Sequence, residues 1–573
     1  MAALNAMTGR SAGRFALGTI LLVAVGFFTV VPILLIAIAS FDSAAPGDPW
    51  RWGFDAWGSL FTSPRSMSAL GYTLLLTLRV PVGLLLGFLV AWCLVRADIP
   101  AKGFIEFSLW VAYFLPALPV AVGWILLLDK NYGLVNLALE KLPFVHGPLF
   151  SAQSIGGIIW VHLTLTTIPV MTILLAPALR QLDASLELSA NVCGSNTLQT
   201  LRRIVVPILA PALVTALLAG FIRGLEAFEV EQVLGIPANI YVYSTRIYDL
   251  IGHDPPQFQQ AIALSTLMLV ILFVLTVFYQ RFTSRRLFAT LSGRGVSFTQ
   301  VRLGRWRWLV SGACIAYIGV GIFVPLVLLV LGSFMTLFGF FFIANAFTAA
   351  HWLGVLNDET FLSSLRNSLI VGLSVAALGT ACYALLGYVL VRTRLPGRTA
   401  LAAFVWLPWA VPGVLLGMSL LQLILDVPFL SIIYGGLGAL ILGLIVANMP
   451  LGTQMLRTSF AQISVELEYA STTCGARWWT TFRRVMLPLA TPMLVSIFLV
   501  TLMSALRDMS TIVLLAGAHA RPLSLLLLEY ANAGRFEEAS VIGVILSAIA
   551  LLITAIVRQS GFRSLAFSEG SAS

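Results

Sequence analysis

Residues 187–207 read ELSANVCGSNTLQTLRRIVVP, and residues 468–488 read EYASTTCGARWWTTFRRVMLP. Glu187, Cys193, Gly194, Thr200, Arg202, Arg203 and Pro207 recur 281 residues later as Glu468, Cys474, Gly475, Thr481, Arg483, Arg484 and Pro488, while Ala190 becomes Ser471. One such stretch would be an ordinary turn. Alanine, leucine and glutamate favour helix, the glycine permits a turn that a Cβ resists, and the proline suits the first turn of a following helix. Two copies of Glu-x6-Gly-x12-Pro at one spacing are a repeated device. They predict a short helix, a turn, a second short helix and then a long apolar helix, built twice.

Both copies interrupt greasy segments. The chain has 573 residues, of which 59% are hydrophobic and only 10% charged, against about 25% charged in soluble domains. Continuous apolar runs of membrane-crossing length predict an all-α integral membrane fold and exclude a β-barrel, whose strands alternate. We expect twelve spans, centred near residues 28, 82, 116, 165, 222, 270, 320, 379, 413, 446, 502 and 547. The run from Ala16 to Ser40 is too long for a cleaved signal peptide and reads as a retained helix.

Charge then orients the chain. With the N-terminus inside, the inner segments carry 23 of the 34 Lys and Arg residues, the outer segments eight, and the spans three (Arg79, Arg223 and Arg507). This bias predicts cytoplasmic N- and C-termini. The net charge of +10 is the same topology signal plus attraction to an anionic lipid membrane. Spread over short loops, it predicts no nucleic-acid partner. The five cysteines have no CxxC spacing and the five histidines no HExxH spacing, so we expect neither a disulfide nor a metal site.

The duplication extends beyond the loops. Trp57 matches Trp352, Tyr72-Thr73 matches Asn367-Ser368, Arg96-x3-Pro100 matches Arg392-x3-Pro396, and Ile168-Pro169 matches Met449-Pro450. Each half holds six helices, an even number, so the halves are parallel repeats about an axis along the membrane normal. We divide the chain into a first half, 1–280, a basic linker, 281–307, and a second half, 308–573.

A polar knuckle kept twice beside the membrane suits docking to a two-fold partner in the helix-in-groove mode. Its Glu-x2-(Ala/Ser)-x3-Gly-x12-Pro pattern resembles the cytoplasmic coupling loop, or EAA loop, of ABC-importer membrane subunits. The fused two-half layout, together with GSFMTLFGFF and FEVEQVLGIPANIYVYSTRIYDLI, resembles the iron(III) transport permeases of the binding-protein-dependent transport family. The resemblance implies a type I importer fold in the bacterial inner membrane. It implies partners too: two copies of an ABC ATPase subunit, which bind the ATP, and a periplasmic solute-binding protein. The coupling residues it implies are Glu187, Ala190, Gly194, Arg202, Arg203 and Pro207, with Glu468, Ser471, Gly475, Arg483, Arg484 and Pro488. Ferric iron is the solute it suggests first; phosphonate, thiamine or another small solute fits the same layout.

Ionisable groups inside a membrane are costly and default to functional candidates. Arg223, Glu226 and Glu229 fall at i, i+3 and i+6, on one face of the fifth span. One repeat on, Glu226 aligns with Arg507, which Asp508 follows. We expect Glu226 and Arg507 to approach across the pseudo-two-fold axis, as a gate or solute site; a structural pair, Arg223–Glu226 or Arg507–Asp508, is the plainer alternative. Pro116, Pro119, Pro408 and Pro412 predict bent spans. No GxxxxGK[ST] loop and no nucleophile–base motif is present, so ATP hydrolysis on this chain, and any other catalysis, is not expected and no cofactor is assigned to it. An ion-coupled secondary transporter, using Glu226, Glu229 and Asp508, is the reading from another class.

Overall fold

The computed structural model describes residues 2–44, 49–285, 301–393 and 397–559. Of the linker, residues 286–300 lie outside the described stretch. The architecture is all-helical, with three isolated β-bridges among the described residues. Among the described residues, nine continuous helices are long and apolar enough to cross a membrane: Gly18–Ala39, Pro64–Arg96, Ile155–Gln181, Thr197–Leu225, Phe258–Tyr279, Trp306–Ser333, Glu359–Arg392, Leu437–Gln462 and Phe536–Ile556. Three bent pairs complete the set: Lys102–Phe114 with Ala117–Leu128, Arg398–Ala410 with Gly413–Asp426, and Trp478–Leu489 with Thr491–Arg507. Each of the twelve expected centres falls in one of these.

The bends are sharper than kinks. The third and ninth spans turn by 105° and 116°, at Leu115-Pro116 and Val411-Pro412. Proline lacks the N–H and disfavours helix in the residue before it, so each helix stops there and restarts. Contacts at its two ends trace the path of the third span. Arg96, ending the second span, donates from Nη2 to the Leu182 carbonyl at 2.6 Å, so the C-terminal ends of spans two and four meet. At the other end, the Ala152 N–H donates to the Leu128 carbonyl at 3.2 Å. The bent pair must therefore run from one end of the bundle to the other. In the second half, Arg392 donates to the Phe460 carbonyl at 2.6 Å and repeats the logic.

The halves exchange their first spans. Gly18–Ala39 packs on the bent ninth span, and Trp306–Ser333 packs on the bent third span. Small residues allow the approach, as is usual between membrane helices. A Cβ at Gly123 would lie 2.1 Å from the Pro325 carbonyl oxygen, and one at Gly26 would lie 3.2 Å from the Phe404 ring. Phe104 stacks on Phe323, with ring centroids 6.2 Å apart. The contact at Gly123 is to backbone, which cannot swing away. Gly123→Ala is therefore expected to destabilise the protein by about 1–3 kcal/mol, read as a lower thermal unfolding midpoint in detergent. Gly58→Ala, which meets nothing within 4 Å, is the control and should change little.

Candidate functional site

Both repeated loops fold the same way. The first short helices are Ala184–Val192 and Val465–Thr473, and the second are Thr197–Thr200 and Trp478–Thr481. Between them Gly194 has φ +84° and Gly475 φ +81°, the left-handed conformation that glycine adopts without strain. The Ser195 N–H donates to the Ala190 carbonyl at 2.9 Å and the Ala476 N–H to Ser471 at 3.1 Å, closing each helix by a Schellman turn. In the first copy Asn196 and Gln199 form a reciprocal capping box. A π-helical turn follows at Leu201–Val205 and at Phe482–Met486, in identical register. Pro207 and Pro488 then sit in the first turn of the next helix.

The chain holds these loops through a pair of ion pairs. Arg96 Nε lies 3.1 Å from Glu187 Oε1, and Arg392 Nε lies 3.1 Å from Glu468 Oε1. Arg96 Nη2 also donates to the Leu182 carbonyl, and Arg392 Nη2 donates to the equivalent Ile463 carbonyl. Arg96 is 1% exposed. Burial pushes the Glu187 carboxyl above its ordinary range, and Arg96 opposes that shift. Tyr388 Oη donates to Glu468 Oε2 at 3.3 Å. Glu187 and Glu468 thus point inward, to the chain's own spans. The exposed face carries Leu188, Val192 and Leu198 in one copy and Tyr469 and Trp479 in the other, with Arg202, Arg203, Arg483 and Arg484 exposed beside them. The linker's far end joins this site. The Val301 N–H donates to the Arg96 carbonyl at 2.7 Å, and the Asp98 N–H donates back to Val301 at 3.2 Å.

The charges at the interface of the halves are arranged otherwise than the sequence predicts. The fifth span ends at Leu225, and Glu226 caps it. The Ala227 carbonyl turns to accept from the Ser244 hydroxyl, so Glu229 does not continue that helical face. Glu226 Oε2 pairs with Arg223 Nη1 at 2.8 Å, the plainer alternative. Arg507 donates instead to the Tyr113 carbonyl. No ion pair joins Glu226 to Arg507 among the described residues. Arg507 and Asp508 lie within electrostatic reach of Glu229, whose carboxylate accepts from the Ala117 N–H at the start of the re-entering helix. Asp508 accepts from the Thr511 N–H at 2.9 Å.

The arginines do cross between halves, through aromatic rings. The Arg223 guanidinium lies 4.5 Å from the Trp409 ring centroid, and that of Arg507 lies 5.5 Å from Tyr113. Tyr113 and Trp409 each stand three residues before a span-breaking proline, Pro116 or Pro412. Each half thus lends an arginine to the bend of the other, as a cation–π contact.

A buried cluster belongs to the first half alone. Glu231, fully buried, lies 2.8 Å from His162 Nε2 and 3.9 Å from Arg79 Nη1. One repeat on from His162 and Glu231 stand Gly443 and Ile512, which cannot reproduce it. Sequence reasoning left His162 without a partner, because 69 residues separate it from Glu231. It also passed over Arg96 and Arg392 as mere alignment markers, although their duplication was a usable signal.

Comparison with known proteins places this geometry. The family of binding-protein-dependent transport system inner membrane components matches residues 83–288 and 384–561, once in each half. A ferric transport system permease protein of Actinobacillus pleuropneumoniae is 26% identical over 401 residues, covering 67% of this chain and 56% of that protein. The match thus spans little more than half the length of that relative. An Fe(3+)-transport system permease protein of Haemophilus influenzae is 22% identical over 524 residues, covering 91% and 94%. A molybdate/tungstate transport system permease protein of Thermococcus kodakarensis is 28% identical over 203 residues, covering 35% and 80%.

Among the eight pattern positions of the loops, the one change of type, Ala190 to Ser471, has a visible consequence. Ser471 Oγ lies 2.9 Å from Thr481 Oγ1, whereas the equivalent Thr200 Oγ1, opposite an alanine position, is buried without a hydrogen-bond partner. Ala190→Ser is expected to supply one and to stabilise the protein by about 0.5–1 kcal/mol. Thermal unfolding of the purified protein measures this, and an unchanged or lower midpoint contradicts it.

Proposed function

Because the chain belongs to the family of binding-protein-dependent transport system inner membrane components, we propose that it is the pore-forming subunit of an ATP-driven importer, one polypeptide supplying both halves. It is a multi-pass inner-membrane protein whose relatives are transport permeases. In this reading two copies of a separate ATPase subunit dock on the loops at 187–207 and 468–488, on the cytoplasmic side with both termini. A periplasmic solute-binding protein delivers the solute to the opposite face. The twin loops, equally built and equally anchored by Arg96 and Arg392, are the observation that carries the reading. A two-fold motor needs two equivalent handholds, and their exposed apolar face suits a groove.

Ferric iron is the solute we propose, since relatives named for it align with this chain over 401 and 524 residues. Molybdate or tungstate, phosphonate and thiamine are the alternatives. Between the halves, we propose that Arg223 on Trp409 and Arg507 on Tyr113 close the solute path at the two bends, with Glu226, Glu229 and Asp508 holding the arginines and helix ends in place. The ion-coupled alternative needs acids free to exchange protons. Here Glu226 is held by Arg223, and Asp508 by Thr511, which favours the mechanical reading.

Three measurements test this. An affinity-tagged chain expressed with its neighbouring genes is expected to co-purify an ATPase, and reconstituted vesicles should accumulate radioactive ferric iron only with ATP inside and the binding protein outside. Uptake of molybdate in place of iron would move the solute assignment and leave the class intact. Gly194→Val with Gly475→Val meets open space but strains the left-handed backbone by about 1–2 kcal/mol per site; hydrolysis should persist while uptake is lost, and full uptake would refute the role of the loops. Tyr113→Ala with Trp409→Ala should leave the path leaky, read as faster efflux of preloaded iron without ATP.

A further inference from the structure

Arg96 and Arg392 were not among the residues that the loop pattern singles out, yet they make the only side-chain ion pairs that the loop glutamates have among the described residues. Three observations set them apart. Each is the last helical residue of its span, the second (Pro64–Arg96) or the eighth (Glu359–Arg392). Each guanidinium divides between the loop glutamate and the carbonyl that opens the loop, Leu182 or Ile463. The ion-pair distance is the same, 3.1 Å, in two halves whose sequences differ at most positions between these points. Around them the packing differs: Trp92 stands where the second half has Tyr388, and the linker residue Val301 bonds to the Arg96 carbonyl. The contact has stayed fixed while its surroundings changed.

A short helix resting on a membrane surface has few ways to pull a span. Its backbone is continuous with the fourth and tenth spans through the turns at Leu182 and Ile463, and with the fifth and eleventh past Pro207 and Pro488, so those follow it directly. The second and eighth spans have no chain connection to the loop. The forked guanidinium is rigid and planar and binds two acceptors at once, and burial excludes water that would otherwise compete. We propose that Arg96 and Arg392 are positioning residues that transmit the movement of each loop to the second and eighth spans, so that one displacement moves a third span in each half besides the two joined to the loop by backbone. This rests on the importer reading given above.

The test uses the full importer complex in vesicles, with spin labels on two pairs of positions in separate samples. Cys193 and Cys474 report the loops, and Val95→Cys with Val391→Cys report the span ends. In the otherwise native chain, a non-hydrolysable ATP analogue is expected to shorten both distances. With Arg96→Gln and Arg392→Gln, the loop pair should still shorten and the span-end pair should not. ATP hydrolysis should then continue while ATP-driven uptake of ferric iron falls by about tenfold or more. A span-end pair that closes in the glutamine variants as in the native chain overturns the proposal. If glutamine prevents membrane insertion, Arg96→Lys with Arg392→Lys is read instead. Lysine keeps the charge but not the fork, and span-end closure is expected to fall in part; closure equal to the native chain overturns the proposal. Absence of any associated ATPase from the native complex refutes the importer reading, which is a different result.

Discussion

A guanidinium that leaves water must find acceptors, and at the inner end of each half this requirement decides where the polar loop lies. Arg96 and Arg392 are carried inward as the last residues of long apolar helices. Breaking such a buried pair by removing one partner is far more costly than a surface pair is worth. The loop glutamate pairs with each arginine and the neighbouring carbonyl accepts from it, and so the loop is tied to the end of the span. The Schellman glycine and the proline shape the loop; the arginine fixes its height and angle. The inner rim of the bundle, including the linker's return at Val301, is assembled around those two contacts.

Local chemistry was legible in the sequence. The apolar runs, the glycine turns and the breaks at Pro116 and Pro412 follow from residue type and spacing, and are found where the pattern puts them. Partnerships across long sequence separation were not legible. Arg96 meets Glu187, and Arg223 meets Trp409, only because the helices fold back at heights that no local pattern specifies. The 281-residue offset that aligned Glu226 with Arg507 produced no ion pair between them among the described residues; Glu226 is taken by Arg223. The single face expected for Arg223, Glu226 and Glu229 assumed that the fifth span continues as one helix, whereas the chain leaves helical geometry after Leu225 and turns the Ala227 carbonyl to Ser244. An offset in a repeat gives equivalence of position, and it does not give contact across the axis.

The two halves are also less alike than the repeat suggests. Arg79, His162 and Glu231 bolt the second, fourth and fifth-to-sixth segments of the first half together. Glycine and isoleucine occupy the corresponding places of the second half. The second half instead bends its eleventh span by 77° just after the loop, where the first half has one continuous helix from Thr197 to Leu225. A buried ionic cluster resists rearrangement because each intermediate leaves a charge unpaired. The first half is therefore the stiffer partner at the level of the breaks, and the second half carries an additional joint.

These contacts sort into two mechanical kinds. Where the halves exchange their first spans, the approach of Gly123 to the Pro325 backbone and the stacked Phe104 and Phe323 are close, apolar and continuous, and separating them in lipid would forfeit close packing that lipid tails replace only loosely. Where the bends meet the ends of spans five and eleven, the contacts are guanidinium–ring pairs beside half-exposed polar groups, with one hydrogen bond from Arg507 to the Tyr113 carbonyl. Such pairs are worth about 0.5–2 kcal/mol each, small enough to be opened by a modest difference in binding energy. A chain whose halves are interlocked along one seam and lightly latched along another can rock about the first while parting at the second. That division follows from which side chains lie on each seam, and it requires no flexibility in the helices themselves.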